Sequence, residues 1–368
     1  MKKVKVAMIG VGSISGIYLE NITKVFKEIE LVGVCDLIRE RAESAKEKYQ
    51  IPKLYDTMYD AFQDDEVDII LNLTRPYEHY EVTKQALLAH KHVYSEKPLA
   101  ASYEEGKELV TLAKQYNCML GGAPDTFLGA GIQTCRKLIE DGMIGNIVGS
   151  AAFMICHGHE SWHPDPEFYY KYGGGPMMDM GPYYITALIN LVGGVSEITG
   201  VVKKSFENRI ITSQPKCGEV IDVEVPTYIT GIMHYDNGAI GTIFTTFDVY
   251  YQQSARLEIY GTKGTLIVPD PNTFGGPVKL LRPEDGECRD MPLLFDYKDN
   301  SRGLGLADMA KALVENREFR ANYTQTLHAL EILTSFAKSS DMKKCIRLDT
   351  SYQPERPMRN NPIHGIID

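Results

Sequence analysis

The sequence predicts an α/β protein in which a doubly wound parallel sheet comes first and an α+β domain with a large, mostly antiparallel open sheet follows. Three observations predict it. Short apolar strands alternate with helical segments from Val4 to Gly122, the order that builds parallel sheets with helical crossovers. The first strand runs straight into the glycine turn Gly10-Val11-Gly12, and the second ends on Asp36. After Pro124 longer alternating segments follow, joined by turns such as Asp236-Asn237-Gly238 and Thr262-Lys263-Gly264 that read as hairpins. The domain boundary is therefore set between 1–123 and 124–368.

The chain has 368 residues, enough for two ordinary domains. Hydrophobic residues make up 43% and charged ones 24%, a soluble globular profile. A net charge of −10 argues against nucleic acid or an anionic membrane as partner, because either wants a basic face. No apolar run approaches the roughly 18 residues of a membrane helix. Seven cysteines are scattered singly with no CxxC pair, which fits reduced thiols in the cytoplasm and no zinc site.

Val4 to Ile9 is the first strand. Glycines at the turn after it let the backbone approach a pyrophosphate on the N-terminus of a helix that ends near Lys27. Gly10, Gly12, Ser13 and Ile14 are the candidate contacts, and Ser15 stands where the G-x-G-x-x-G pattern has its third glycine. The second strand, Glu30 to Cys35, ends at Asp36, 26 residues after Gly10. An acid there accepts both ribose hydroxyls of an adenosine and favours NAD. Arg39 and Arg41 leave room for NADP, and the competing role of Asp36 is to cap the helix Arg39–Tyr49.

The alternation continues with a strand over Val67 to Leu73, the loop Thr74-Arg75-Pro76 and a helix from about Glu78 to His90. Ser102-Tyr103-Glu104-Glu105 is a capping box that starts a helix through about Tyr116, and Cys118 to Gly122 is a further strand. In the second half a helix is expected over Gly129 to Asp141. Strands are expected over 148–156, 197–206, 227–235, 239–247, 256–260 and 265–268. Helices near 302–316 and 322–339 are expected to cover that second sheet.

Between the two regimes lies His92-Val93-Tyr94-Ser95-Glu96-Lys97-Pro98-Leu99, a short strand ending in a carboxylate, a lysine and a proline. Proline cannot extend the ladder, so the backbone turns just after Lys97. In open α/β sheets ligands bind at the carboxyl ends of strands. Lys97 is the leading catalytic candidate.

Taken in order, these segments resemble the glucose–fructose oxidoreductase / inositol dehydrogenase / MocA family of NAD(P)-dependent oxidoreductases. The resemblance covers nearly the whole chain. It rests on Gly10-Val11-Gly12, Asp36, Asn72-Leu73-Thr74-Arg75-Pro76-Tyr77-Glu78-His79, the stretch ending Glu96-Lys97-Pro98, and Gly173-Gly174-Gly175-Pro176-Met177-Met178-Asp179-Met180-Gly181-Pro182-Tyr183. It implies a Rossmann first domain holding NAD through Gly10, Gly12, Ser13, Ile14, Asp36, Thr74, Arg75, His79, Glu96 and Lys97. It also implies that Lys97, Asp179 and the residue four later face the reacting carbon. Most members carry histidine at that last position; this chain carries Tyr183.

Oxidising an alcohol needs a hydride acceptor and a group that takes the hydroxyl proton. A lysine beside a tyrosine lowers the phenol's pKa, so Lys97 and Tyr183 can act as one unit with tyrosinate as base. Asp179 orients either group or binds a substrate hydroxyl; its competing role is a helix cap. His157-Gly158-His159-Glu160-Ser161-Trp162-His163 packs three of the nine histidines and the only tryptophan into seven residues. No metal is expected there; His157, His159, Trp162 and His163 are read as substrate-lining, with His159 or His163 a replacement for the missing family histidine. Asp125 and Thr126, after the last strand of the first domain, either touch cofactor or substrate or cap a helix.

The reading is an NAD-dependent dehydrogenase that oxidises a secondary ring hydroxyl of an uncharged sugar, glycoside or cyclic polyol to a keto-sugar. Tyr169, Tyr170, Tyr172 and Tyr184 add flat aromatic faces near the polar groups, and Lys171 is the only basic side chain besides histidine from His157 to Tyr184. The alternatives are a redox-neutral NAD-dependent glycosidase and a non-catalytic NAD-binding regulator. A carbohydrate partner, a homodimer or tetramer formed through the second domain, and a cytoplasmic location complete the expectations.

Overall fold

The computed structural model describes residues 3–359 and 363–368. The first sheet contains β1 (Val4–Ile9), β2 (Ile29–Cys35), β3 (Lys53–Leu54), β4 (Ile69–Asn72), β5 (His92–Ser95) and β6 (Leu120–Gly122). They pair in parallel, in the order β3-β2-β1-β4-β5-β6. Strand order reverses between β1 and β4, and there the loops after adjacent strands diverge and leave a crevice at the carboxyl edge. The glycine turn after β1, the Thr74 loop after β4 and Glu96-Lys97 after β5 all open onto that edge. Apolar runs such as Ile69-Ile70-Leu71 are wholly buried, as strands covered on both faces must be.

The second sheet has nine strands: β7 (Ile147–Ile155), β8 (Val195–Lys203), then β11 to β17 after a separate two-stranded ribbon of β9 (Asn208–Ile210) and β10 (Val220–Asp222). The later strands are β11 (Tyr228–Tyr235), β12 (Ile240–Thr246), β13 (Leu257–Gly261), β14 (Thr265–Val268), β15 (Val278–Leu281), β16 (Cys288–Met291) and β17 (Ile346–Arg347). Their order is β16-β15-β14-β13-β7-β12-β11-β8-β17, antiparallel except for β12 on β7. The helix Tyr323–Met342 covers one face, and its Phe336 sits directly over Gly200 and Gly231, a cross-strand pair with no side chains to displace it.

The expectation that both C-terminal helices cover this sheet is half right. The helix Leu304–Glu315 instead reaches back to β1 of the first sheet. The reason is local: Gly303, at φ +99°, turns the chain against Tyr18, Ile22 and Phe26 of the first helical layer. Among the described residues no helix is long and apolar enough to cross a membrane.

Candidate active site

At the cofactor edge, Gly10 has φ +95°, and a Cβ there would stand 2.7 Å from the Leu73 carbonyl oxygen. Only glycine fits both demands. Gly12 is the converse: a Cβ would meet nothing within 4 Å, so its Cα face is open space. Ser15 closes the turn by donating its hydroxyl to the Gly12 carbonyl at 2.7 Å. The helix Ser15–Lys24 begins at Ile14 with no side-chain cap, and Ser13 is exposed beside it. The Ser15 N–H is taken by the Gly12 carbonyl at 3.1 Å, and with no side chain capping the turn, the helix's remaining first N–H groups face an anion site.

Asp36 accepts the Val11 N–H at 2.6 Å on one oxygen and the Ile38 N–H at 2.7 Å on the other. The carboxylate thus fixes the glycine turn while retaining lone pairs for ribose hydroxyls. It does this without capping the helix Arg39–Tyr49, whose N-terminus has no side-chain cap. An open glycine face, an uncapped helix start and an acid at the second strand end fit a dinucleotide.

Glu96 is buried, accepting the Tyr18 hydroxyl at 2.7 Å and the Lys97 N–H at 3.0 Å. Lys97 donates to both the Asp179 carbonyl, at 2.7 Å, and its carboxylate, at 2.9 Å. The other Asp179 oxygen lies 3.3 Å from His159 Nε2. The Lys97 and Asp179 side chains are only 15% and 14% exposed. The Lys97 ammonium also stands 5.3 Å from the centre of the Tyr183 ring. Lys97, Asp179, His159 and Tyr183 therefore form one cluster.

Electrostatics set the resting charges of this cluster. Burial pushes Lys97 down, but the Asp179 carboxylate outweighs it and holds the ammonium well above its ordinary range. Burial works against the Asp179 charge as well; Lys97 and His159 overcome it and hold the carboxyl well below the usual carboxylate range. Tyr183 goes the other way from the expected tyrosinate. Burial raises its phenol, more than Lys97 and Arg302 lower it, so without the cofactor's own charge the hydroxyl keeps its proton.

Other expected residues stand elsewhere. Asp125 is buried and accepts the backbone N–H groups of Gly303 and Gly305, at 2.8 and 3.1 Å, so it holds the start of a helix rather than substrate. Thr126 is buried behind it. His79 is buried with its ring nitrogens on the Pro98 and Thr74 carbonyls, at 2.7 and 3.0 Å, tying together the loops after β4 and β5. It is spent on the backbone, not on a cofactor. Thr74 donates to Asn72 Oδ1 at 2.7 Å, and Arg75 is exposed beside Tyr77 and Asp165.

The three histidines of 157–163 do not converge. His157 stacks on Tyr250 at 3.6 Å, His159 faces Asp179, and His163 Nδ1 accepts the Asp165 N–H. Among the described residues no group of three or more His, Cys, Asp or Glu is placed to hold a metal ion. Trp162 is 62% exposed and leans on His159 with ring centres 5.3 Å apart, while Tyr169 packs closer, at 3.8 Å. Sequence reasoning missed Arg302, whose guanidinium reaches the Tyr183 hydroxyl at 3.4 Å. No spacing rule links residues 119 apart.

A six-stranded doubly wound sheet, a dinucleotide-shaped glycine turn and a buried lysine at the neighbouring strand end define a nicotinamide-dependent oxidoreductase. The chain belongs to the GFO/IDH/MocA family: residues 4–122 match its oxidoreductase, NAD-binding Rossmann-fold domain and residues 132–267 its C-terminal domain. It is 24% identical over 355 residues to D-xylose dehydrogenase of Paenarthrobacter nicotinovorans, covering 90% of this chain and 89% of that one. It is 25% identical over 261 residues to D-glucoside 3-dehydrogenase of Escherichia coli, covering 69% and 73%. The fold of a levoglucosan dehydrogenase solved with NADH superposes with a TM-score of 0.81 at 18% identity, over 95% of this chain and 100% of that one.

Proposed function

We propose that this enzyme moves a hydride between NAD and a secondary ring hydroxyl of a sugar, glycoside or cyclic polyol, giving a keto-sugar. The observation that carries the reading is the Lys97–Asp179–His159 line beside Tyr183 at the crevice edge. The chemistry that NAD supplies when bound is hydride acceptance. Lys97 has three N–H donors and gives two to Asp179, so the third is free for the reacting oxygen. In reduction the ammonium donates that proton to the forming alcohol. In oxidation the same nitrogen takes the hydroxyl proton after passing one along Asp179 toward His159. Tyr183 presents its hydroxyl to the same oxygen.

Relatives named for xylose and for glucosides support a carbohydrate as substrate. So do the polar groups beside the flat faces of Tyr169 and Trp162, since a pyranose has polar edges and C–H faces. On this reading residues 1–123 bind the cofactor and 124–368 the substrate and partner subunits. Seven unpaired cysteines suit the reducing cytoplasm.

The test is reduced-nicotinamide absorbance on mixing purified protein with NAD⁺ and a panel of sugars, glycosides, inositols and sugar phosphates. Stoichiometric NADH with uncharged rings is the expected result. Glycoside cleavage without net NADH, or NADH with sugar phosphates alone, overturns it.

A further inference from the structure

Arg302 contributes a second cation to the site, and nothing in the sequence motifs announces it. Its guanidinium donates to Asn300 Oδ1 at 2.8 Å, to Asn272 Oδ1 at 2.7 Å and, more loosely, to the Tyr183 hydroxyl oxygen at 3.4 Å. These three partners are neutral oxygens; among the described residues no carboxylate lies within ion-pair distance of Arg302. It also stands 5.9 Å from the Tyr183 ring centre and 6.0 Å from that of Phe274. Two amide oxygens aim a guanidinium without neutralising it.

The backbone beneath Arg302 is held by the cofactor helix. Asn21, on the helix Ser15–Lys24, donates its side-chain amide to the Asn300 and Arg302 carbonyls at 2.9 and 2.8 Å. Gly303 then turns at φ +99° against Tyr18 and Ile22 of the same helix, with its N–H on Asp125. Tyr18 in turn bonds Glu96, whose second oxygen holds the Lys97 N–H. One helix thus sets both cations that flank Tyr183.

We propose that Arg302 is a positioning residue for Tyr183: it occupies a lone pair of the phenol oxygen, turns the hydroxyl hydrogen toward the reacting oxygen, and stabilises the negative charge that builds on the phenol as it donates to that oxygen. An N–H donor on the oxygen leaves the hydroxyl's own hydrogen free to point elsewhere. The ionised and polar groups facing Tyr183 are Lys97 over the ring, Arg302 at the hydroxyl, Glu96 behind Lys97 and the Tyr169 phenol, with Asp125 beside Arg302. Arg302 is the one that touches the oxygen. This inference rests on the catalytic reading of Lys97 and Tyr183 given above.

The test compares Arg302→Met and Arg302→Lys, each alone and with Tyr183→Phe. Arg302→Met is expected to lower kcat by about tenfold or more, with less effect on the sugar KM and none on NADH affinity. Arg302→Lys restores part of the loss, and Tyr183→Phe makes the Met substitution nearly silent, the non-additivity of residues acting as one unit. Independently of turnover, ring-labelled tyrosine NMR of the NAD⁺ complex is read across alkaline pH, with the Tyr183 signal assigned by its absence in Tyr183→Phe. Its ionisation is expected at higher pH in Arg302→Met, because a cation at the oxygen favours the phenolate. An equal kcat loss with and without Tyr183, or an unmoved Tyr183 titration, overturns the proposal. If no sugar reduces NAD⁺ at all, the proposed substrate falls while the titration still decides the role of Arg302.

Discussion

Lys97 shows how a single side chain acquires a role from its neighbours. Alone on a strand end it is an ordinary surface cation; with two of its donors on Asp179 and its stem buried, it becomes a fixed proton source. Replacing it with alanine removes that source and leaves Asp179 with His159 alone. Turnover is expected to fall by the roughly 10²–10⁴ that general acid–base groups contribute. NADH affinity, measured by fluorescence titration, should stay close to that of the unmutated protein, because the glycine turn and Asp36 are untouched. Asp36 and Lys97 were legible because each follows a recognisable strand at a fixed offset. Arg302 and Asn21 were not, since the contacts that matter, Arg302 to Tyr183 and Asn21 to the Asn300 and Arg302 carbonyls, join residues 119 to 281 apart. Asp125 was read as touching a ligand or capping a helix; which helix it holds was not legible, because its two partners, Gly303 and Gly305, lie 178 and 180 residues later.

At the scale of elements, the turn after β1 separates stability from binding in two glycines flanking Val11. Gly10→Ala puts a methyl against the Leu73 carbonyl in a left-handed conformation, and a loss of about 1–3 kcal/mol is expected in denaturant unfolding. Gly12→Ala meets no protein atom, so stability is expected to hold while NADH affinity drops. Strands and long helices were legible from their periodicity. The two-residue β3 and the ribbon of β9 and β10 were not, because two or three residues carry too little pattern, nor were the sheet-edge pair β15 and β16, the latter the mostly exposed Cys288-Arg289-Asp290-Met291.

The helix Tyr323–Met342 makes its own pH prediction. Its His328 is fully buried, accepts the Val195 N–H on Nε2 and so donates from Nδ1 to Thr350. Burial holds the imidazole down to about 4. The unfolded chain takes up that proton near pH 6.5 and the folded one does not. The contribution of His328 is therefore complete above pH 6.5 and is lost as pH falls toward 4, by about 3 kcal/mol. Asp125 has the opposite slope. Burial raises it to about 6, so the folded chain takes its proton first and gains stability as pH falls from 6 toward 4. The two partly cancel in the native protein. Urea unfolding of His328→Gln against the unmutated chain isolates the first: the native advantage at pH 7 should shrink steadily down to pH 4.

Across the whole molecule, the second sheet has one face packed and one open. The helix Tyr323–Met342 covers the side of Gly200 and Gly231. On the other side Val201, Ile232 and Ile240 are 64%, 40% and 52% exposed, on the adjacent strands β8, β11 and β12. The cross-strand register sets Ile232 opposite Thr199 and Thr242, and Ile240 opposite His234 and Gly149, so these apolar side chains share one surface with the Tyr228–Phe244 ring pair. Exposed apolar side chains gathered on one sheet face mark association surfaces. A two-fold dimer brings the same patch of both subunits together, so a second copy of this chain is the partner expected on this face. The expected species is a homodimer or tetramer built by stacking these faces. Light scattering at micromolar protein should return at least twice the chain mass, and Ile232→Asp or Ile240→Asp should shift it toward monomer while leaving NADH binding intact. A monomer from the unmutated protein, or an assembly indifferent to both substitutions, places the contact elsewhere.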